Sequence, residues 1–131
     1  MTIERATRQR AAIAAAILGS KRPLLPAEVL EYARASVRRL GPATVYRTLK
    51  LLVEDGSIQT INLPGESPRY EPAKSAHHHH FQCNTCRRVY DIAGCPGSLR
   101  GLAPRGFRVE RHDVTLYGRC SDCRKSAAAG R

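Results

Sequence analysis

Residues 77–86 read His-His-His-His-Phe-Gln-Cys-Asn-Thr-Cys, which places four imidazoles and a closely spaced pair of thiols within ten residues. The Cys83-x-x-Cys86 pair is repeated at Cys120 and Cys123, with 33 residues between the pairs. A two-residue gap lets both sulfurs of a pair turn toward one point, and four thiolates close a tetrahedral shell at about 2.3 Å per bond. The spacing therefore predicts one structural Zn²⁺ per chain.

Two disulfides are the alternative use of these cysteines. The chain has 131 residues and five cysteines, and its N-terminus shows no apolar export segment, so nothing indicates an oxidising compartment. It also has no apolar run long enough to span a membrane. We therefore expect a cytoplasmic protein with zinc and no membrane partner.

The chain is strongly basic. Its formal net charge is +11, and the excess of Lys and Arg is spread over both halves, 12 against 7 acidic residues up to residue 74 and 10 against 4 after it. A small protein with this charge usually meets a polyanion. The charge indicates a nucleic-acid partner, and the alternative is a surface that is basic only for solubility.

Each half of the chain has little material for a core. The sequence contains no Trp and two Phe, so two small domains would have to pack mainly aliphatic side chains. Domains of this size are near the limit that a hydrophobic core supports alone, and a structural metal is a usual remedy. This is a physical reason to expect zinc in the second half.

Three helices are predicted in the first half from the 3.6-residue period of apolar side chains. The first begins at Thr7 as N-cap, the second near Pro26, and the third runs from Gly41-Pro42 to about Asp55. The predicted buried stripes are Ile13, Ala14, Ile17 and Leu18 in the first helix, Leu30, Ala33, Val37 and Leu40 in the second, and Val45, Leu49, Leu52 and Val53 in the third.

The opposite side of the third helix carries polar groups suited to a DNA groove. The residues that we expect there are Thr44, Tyr46, Arg47, Thr48 and Lys50. Residues 58–62 and 69–71 are predicted strands around a Pro/Gly turn at 63–68. A winged helix-turn-helix fits this order. An ordinary three-helix core with a solvated polar face is the alternative, and the basic charge favours the former.

The second half is predicted to be a separate domain. Residues 72–76 lack apolar periodicity and are predicted to be a hinge, which divides the chain into domains 1–71 and 77–131. We expect strands up to Cys83, at 88–92 and at 107–117, at most a short helix at 96–102, and a disordered tail from residue 126. The predicted class is α+β.

The four consecutive histidines can serve two metal sites. In an extended chain successive side chains point to opposite faces, so His77 and His79 would face one side and His78 and His80 the other. Imidazole alone does not select one metal. The sulfur, oxygen and nitrogen partners that could complete the sites are Glu71, Asp91, Cys95 and His112. Each has an ordinary alternative as a surface carboxylate, a small buried thiol or an exposed imidazole.

The chain resembles the ferric uptake regulator family of bacterial metal-responsive repressors from about residue 7 to Cys123. The resemblance rests on Thr7-Arg8-Gln9-Arg10, Ala43-Thr44-Val45-Tyr46-Arg47, the histidine run and the cysteine pairs. It implies an N-terminal winged helix-turn-helix DNA-binding domain, a hinge, and a small α/β zinc-stabilised dimerisation domain. It further implies a homodimer on double-stranded, AT-rich palindromic operators, with DNA contacts from Arg8, Arg10, Thr44, Tyr46, Arg47 and Lys50.

The resemblance also implies two metal sites beside the structural zinc. Matching positions place Glu71, His78, His80 and Asp91 in a regulatory site, and His77, His79 and His112 in a second site. Where the family usually has a glutamate in the second site, Cys95 or Ser98 falls nearest. Leu24, Gln59 and Ala73 stand where relatives have further sensor ligands, so the resemblance does not name the sensed metal.

The sequence thus predicts a metal-dependent transcriptional repressor that controls metal homeostasis. The regulatory divalent metal is expected to be Zn²⁺ or Fe²⁺, with Mn²⁺ as a further candidate. A peroxide-sensing member of the family is one alternative, and a zinc-ribbon nucleic-acid-binding scaffold outside the family is another. No catalytic arrangement beyond metal ligands is recognisable, so we expect no enzyme.

Overall fold

Three helices and a two-stranded sheet form the first compact unit, Met1–Ser75, of the computed structural model, which describes residues 3–73 and 77–129. Its elements are α1 (Ile3–Gly19), α2 (Pro26–Ala33), α3 (Pro42–Glu54), β1 (Ile58–Ile61) and β2 (Arg69–Pro72). Strands β1 and β2 pair antiparallel. Leu24 and Tyr70 exchange two backbone hydrogen bonds of 2.9 and 2.8 Å, which attach the α1–α2 connection to β2.

The core of this unit joins all three helices to β1. Its buried side chains are Ala12, Ile13, Ile17, Leu24, Val29, Ala33, Leu40, Val45, Leu49, Leu52 and Ile58. The predicted stripes were wrong at Leu18, which is 59% exposed, and at Val53, which is exposed as well. Each of these two follows a buried residue by one position, which turns it about 100° around the helix and away from the core. Val37 and Leu40 do pack with the core, but they lie beyond the end of α2 at Ala33 and not in its stripe.

The predicted start of the first helix was also wrong. Helix α1 begins at Ile3, so Thr7 lies inside it and does not act as its N-cap. Helix α2 does begin at Pro26, and the Glu28 side chain accepts a 3.0 Å hydrogen bond from the Leu25 backbone N–H just before it. Arg22 Nη2 lies 2.7 Å from the other oxygen of Glu28, so an ion pair secures the start of α2.

Strands β1 and β2 enclose the predicted Pro/Gly turn. Gly65 has a φ of 71°, a conformation that glycine adopts without strain. Arg69 at the start of β2 is buried and lies 3.1 Å from Glu66 in the turn. Of the predicted hinge, Pro72 is the last residue of β2 and the Ala73 N–H donates to Ser57 O at 3.2 Å. Residues 74–76 lie outside the described residues.

The second compact unit, Ala76–Arg131, contains a three-stranded sheet and one α-helix among its described residues. Its elements are β3 (His79–Cys83), β4 (Val89–Ile92), β5 (Thr115–Gly118) and α4 (Ser121–Ala129), with a short 3₁₀ helix at Arg100–Leu102. The strand order is β4-β3-β5, with β3 antiparallel to β4 and parallel to β5. The molecule is α+β.

One prediction for this half was wrong. The long strand expected at 107–117 is a strand only from Thr115, because only that part lies beside β3. Helix α4 spans Ser121–Ala129, and the expected disorder from residue 126 stays a prediction. Within the described ranges, no helix is both long and apolar enough to cross a membrane.

Candidate metal centres and nucleic-acid interface

The four paired cysteines converge on one point of the second unit. Cys83 ends β3, Cys86 follows in the next turn, and Cys120 and Cys123 lie at the start of α4. Their sulfur atoms all lie within 4.8 Å of one another, and the Cys86 and Cys120 sulfurs are 3.8 Å apart. Two thiolates at about 2.3 Å from one tetrahedral ion are separated by about 3.8 Å. The cluster therefore fits Zn²⁺, and all five cysteines of the chain are free thiols.

Backbone N–H groups donate hydrogen bonds to the Cys83 sulfur of this cluster. The N–H groups of Cys120 and Cys86 donate to the Cys83 sulfur at 3.4 and 3.5 Å and lower the pKa of that thiol to about 5. Hydrogen bonding to Cys120 and burial raise the pKa of the Cys123 thiol to about 12. These amide donors favour the thiolate form of Cys83, and a divalent cation that binds all four sulfurs would displace the remaining thiol protons.

His78, His80 and Asp91 form a second cluster on one face of the β3–β4 pair. His80 stands directly opposite Asp91 in the strand register. Asp91 Oδ1 lies 3.5 Å from His78 Nε2 and 3.4 Å from His80 Nε2, and all three side chains are half-buried. A nitrogen and an oxygen bound to one tetrahedral Zn²⁺ are about 3.4 Å apart. These three residues can therefore share a divalent cation.

Glu71, the fourth predicted member of the regulatory site, belongs to the first unit. It lies in β2 opposite Gln59 of β1, is buried, and accepts a 2.9 Å hydrogen bond from Gln59 Nε2. The Gln59 amide therefore fixes the position of the Glu71 carboxylate. Leu24 is fully buried in the core and is not a ligand. The participation of Glu71 in a metal site stays a prediction.

The remaining two histidines of the run gather with Cys95 and His112. His77 Nε2 and Cys95 Sγ each lie 3.3 Å from His112 Nε2, and Cys95 Sγ lies 3.4 Å from His79 Nε2. Tetrahedral Zn²⁺ with nitrogen and sulfur ligands requires separations of about 3.4 to 3.6 Å. The cluster has the size and the donor atoms of a metal site, and Cys95 rather than Ser98 completes it.

His79 is held by a contact that the sequence did not indicate. The ring is buried, and burial together with the nearby His77 and His112 rings lowers the pKa of His79. The Val114 backbone N–H donates to His79 Nδ1 at 3.0 Å, which places the ring proton on Nε2 facing Cys95. Ligation of a metal through His79 Nε2 would require this hydrogen bond to break.

The predicted DNA-contacting residues divide by exposure. Tyr46 is 60% exposed, and Arg47, Lys50, Arg8 and Arg10 are also exposed. Thr44 is half-buried and accepts a 3.2 Å hydrogen bond from Arg47 Nη2.

The expectation that Thr48 faces outward was wrong, since its side chain is 7% exposed and packs with the core side of α3. Arg10 is paired with Asp55 at 2.8 Å.

The structure contains a basic cleft beside Arg8 that was not predicted from the sequence. It has a volume of about 380 Å³ and is lined by Arg5, Arg8, Gln9, Ser36, Val37, Arg38 and Arg39. The Arg38-Arg39 pair just before the Gly41-Pro42 helix start was the available signal. What the sequence could not show is that α1 and the α2–α3 connection meet there. Four guanidinium groups around one cleft favour a phosphate backbone as ligand.

Comparison with known proteins identifies the family. Residues 3–117 match the sequence model of the ferric uptake regulator family. The ferric uptake regulation protein of Campylobacter jejuni is 36% identical over 93 residues, which cover 68% of this chain and 59% of that protein. The chain thus aligns with less than two thirds of the length of this curated relative.

Solved structures agree with this result. The ferric uptake regulator from Francisella tularensis with iron is 27% identical, with a TM-score of 0.67 over 88% of this chain and 91% of that one. A zinc-bound manganese uptake regulator is 26% identical, with a TM-score of 0.72 over 92% and 99%. Because the family model covers most of its residues, the chain belongs to the ferric uptake regulator family.

Proposed function

We propose that the protein is a metal-dependent transcriptional repressor that binds double-stranded DNA as a homodimer in the cytoplasm and controls metal homeostasis. The single observation that carries the proposal is the division of the four histidines into two separate clusters. One holds His78 and His80 with Asp91, and the other holds His77 and His79 with Cys95 and His112. A closed four-cysteine shell leaves no free position for sensing, so we assign regulation to the histidines.

The first unit supplies the proposed DNA surface. Tyr46, Arg47 and Lys50 are exposed on α3, and the arginine-lined cleft adds Arg38 and Arg39 next to Arg8. In a winged helix-turn-helix the third helix enters the major groove while nearby basic groups hold phosphates. We propose an AT-rich palindromic operator on the strength of the family resemblance, since a two-fold symmetric dimer matches a palindrome.

We further propose that Glu71 joins His78, His80 and Asp91 as ligands of the regulatory cation, Zn²⁺ or Fe²⁺, with Mn²⁺ as a further candidate. When bound, the cation supplies positive charge that ligands of both units share. Glu71 lies on the wing strand β2, and the histidines lie on β3 of the other unit. Joining them would restrict the first unit to orientations suited to DNA, and linkage requires DNA to raise metal affinity by the same factor.

Dimerisation is proposed through the second unit. The edge strand β5 exposes Leu116 and Tyr117, and the same unit exposes Phe107 and Leu102 at 72% and 79%. An edge strand with exposed apolar side chains is suited to pairing with another copy, and apolar patches of this kind mark interaction sites.

The test is DNA affinity as a function of metal. Duplexes are first selected from a random-sequence pool with zinc-loaded protein, and binding to them is then measured by fluorescence anisotropy while Zn²⁺, Mn²⁺ or anaerobic Fe²⁺ is titrated. We expect the physiological metal to raise affinity about 5- to 150-fold. Asp91→Asn should remove this response, whereas Asp113→Asn, a change at an exposed carboxylate outside the clusters, should keep it.

DNA affinity that stays constant across all metals would contradict the proposal.

A peroxide-sensing role is the second candidate, because His78, His80 and Asp91 together offer the nitrogen and oxygen donors that suit iron. Oxygen added to His78 or His80 by peroxide treatment of the Fe²⁺-loaded protein, seen as a mass increase of their peptide with loss of DNA binding, would favour it. Family membership replaces the zinc-ribbon scaffold hypothesis, and the proposal includes no enzymatic activity.

A further inference from the structure

We propose that Cys95 is the selectivity-determining ligand of the second site, and that this site takes a thiophilic divalent cation such as Zn²⁺ in preference to Mn²⁺ or Fe²⁺. The inference deepens the proposed function, because it concerns the second of the two histidine clusters assigned there. It rests on the chemistry of the donor atoms and on how the chain holds the Cys95 thiol among imidazoles.

Three donors meet without rearrangement. Cys95 Sγ and His77 Nε2 both lie 3.3 Å from His112 Nε2, and they come from three separate parts of the second unit. His77 precedes β3, Cys95 follows β4, and His112 precedes β5. Cys95 and His77 are exposed and His112 is half-buried, so a cation can enter from solvent. A chance surface thiol would not have two imidazole nitrogens so close by.

The local sequence fixes the position of the thiol. Cys95 stands in Gly94-Cys95-Pro96-Gly97, and a residue before proline is restricted to extended conformations. Gly97 has a φ of 87°, which turns the chain back so that its carbonyl oxygen lies 4.0 Å from Cys95 Sγ. The turn therefore keeps the exposed Cys95 thiol within 3.4 Å of the His112 and His79 rings.

The buried His79 ring contacts the Cys95 thiol from the interior of the second unit. Its Nδ1 accepts from the Val114 N–H, so Nε2 carries the ring proton and donates to Cys95 Sγ at 3.4 Å. We therefore treat His79 as a positioning residue in this structure. It becomes a fourth ligand only if the Val114 contact is exchanged.

The donor set decides the class of cation. One thiolate and imidazole nitrogens suit Zn²⁺ and Co²⁺, whereas carboxylate and water oxygens suit Mn²⁺ and Mg²⁺. None of the four side chains in this cluster is a carboxylate. The nearest acidic residue along the chain, Asp113, is exposed and lies 4.0 Å from Arg111. The His78–His80–Asp91 cluster does include an oxygen donor, so the two clusters should differ in the metals that they prefer.

The first experiment titrates Co²⁺ into protein whose four-cysteine site is already filled with zinc. We expect a near-ultraviolet sulfur-to-cobalt charge-transfer band in the wild type and its loss in Cys95→Ser, which keeps the size of the side chain. Circular dichroism will verify that the variant folds, as expected for an exposed position. An unchanged band in Cys95→Ser would overturn the assignment, because the sulfur would then belong to the four-cysteine shell.

The second experiment uses only the wild type and reads Cys95 directly. Its alkylation by iodoacetamide is followed by peptide mass spectrometry with Zn²⁺, Mn²⁺ or anaerobic Fe²⁺ present. We expect Zn²⁺ to slow alkylation of Cys95 about tenfold or more, because a metal-bound thiolate is no longer a free nucleophile, and Mn²⁺ or Fe²⁺ to leave the rate nearly unchanged. Equal protection by Mn²⁺, or none by Zn²⁺, would overturn the inference.

These readouts separate the inference from the proposed function. Zinc protection of Cys95 in a protein whose DNA affinity never responds to metal would support the inference and contradict the proposed repressor. A metal-responsive affinity without protection of Cys95 would do the reverse.

Discussion

At the scale of single residues, Arg47 and Lys50 share one side of α3 but differ in how they are held. They are three positions apart, which places them on neighbouring turns of the same face. Arg47 Nη2 donates to Thr44 Oγ1 at 3.2 Å, which limits the orientations of its guanidinium. A planar guanidinium matches the two acceptors of guanine, whereas an ammonium is a point charge that suits phosphate. We therefore expect Arg47 to contact a base and Lys50 to contact the DNA backbone.

The prediction compares Arg47→Ala with Lys50→Ala on selected and random duplexes. Arg47→Ala should cost about 1 to 3 kcal/mol on the selected duplex and less on random DNA, because a base contact is lost. Lys50→Ala should weaken both duplexes alike and reduce the dependence of log affinity on log salt by about 1. Binding isotherms at several salt concentrations measure both effects. Equal losses from Arg47→Ala on the two duplexes would make it a phosphate contact.

At the scale of elements, the start of α2 depends on one carboxylate. Burial alone would raise the pKa of Glu28, but hydrogen bonds from Arg22 and from the Leu25 N–H outweigh it and hold that pKa below its usual 4.5. A carboxyl whose pKa is lower in the folded state contributes stability above its unfolded pKa. That contribution disappears as pH falls through the folded value.

We predict that Glu28→Gln lowers the free energy of unfolding at pH 7 by about 1 kcal/mol, since the partly exposed ion pair is screened by solvent and the amide still accepts from Leu25. The difference between the two proteins should begin to shrink as pH falls below 4.5, where Glu28 of the unfolded chain takes up a proton, and should vanish as pH falls through the lower pKa of folded Glu28. Urea unfolding followed by helical circular dichroism at a series of pH values measures it. A difference that is independent of pH would contradict the role of the charge.

Strand β5 lies at the end of the three-stranded sheet and exposes apolar side chains. Among the described residues it pairs with β3 along one edge and with no strand along the other, and Leu116 on it is about half exposed. Leu116→Glu should shift the protein from dimer toward monomer, because a charge would be buried in the proposed interface. Leu18→Glu on α1, which is equally exposed, is the matched control and should stay dimeric. Sedimentation velocity gives the result, and an unchanged dimer with Leu116→Glu would place the interface elsewhere.

At the scale of the whole molecule, the parts that the sequence predicted are those set by local periodicity. The starts of α2 and α3 follow from Pro26 and from Gly41-Pro42, and the alternation of β3 separates His78 and His80 from the other two histidines. The errors concern partners that are distant in sequence. Alternation at 107–117 indicates a face but not a neighbouring strand, and the Val114 contact to His79 leaves no local signal. The Arg38-Arg39 pair is a local signal for the arginine-lined cleft, but it does not show that α1 lies beside it.

The two units differ in how they are stabilised. The first has eleven buried apolar side chains in one core. In the second, the buried apolar residues among those whose side chains the structure describes are Cys83, Val89 and Cys120, and two of these three belong to the four-cysteine cluster. Burial of one valine contributes only about 2 kcal/mol. The fold of the second unit must therefore depend on the zinc shell far more than that of the first.

Removal of the structural zinc should consequently unfold one unit and not the other. A chelator, or Cys123→Ser, removes a contribution that amounts to about 10 to 16 kcal/mol in small zinc domains. We expect amides in β3, β4 and β5 to lose protection from hydrogen exchange while those in α1 and α3 keep it, as resolved by peptide mass spectrometry. Cys95→Ser, a cysteine change outside the shell, should leave both units protected. If α1 and α3 lose protection together with the sheet, the two units fold as one cooperative body and the zinc stabilises the whole chain.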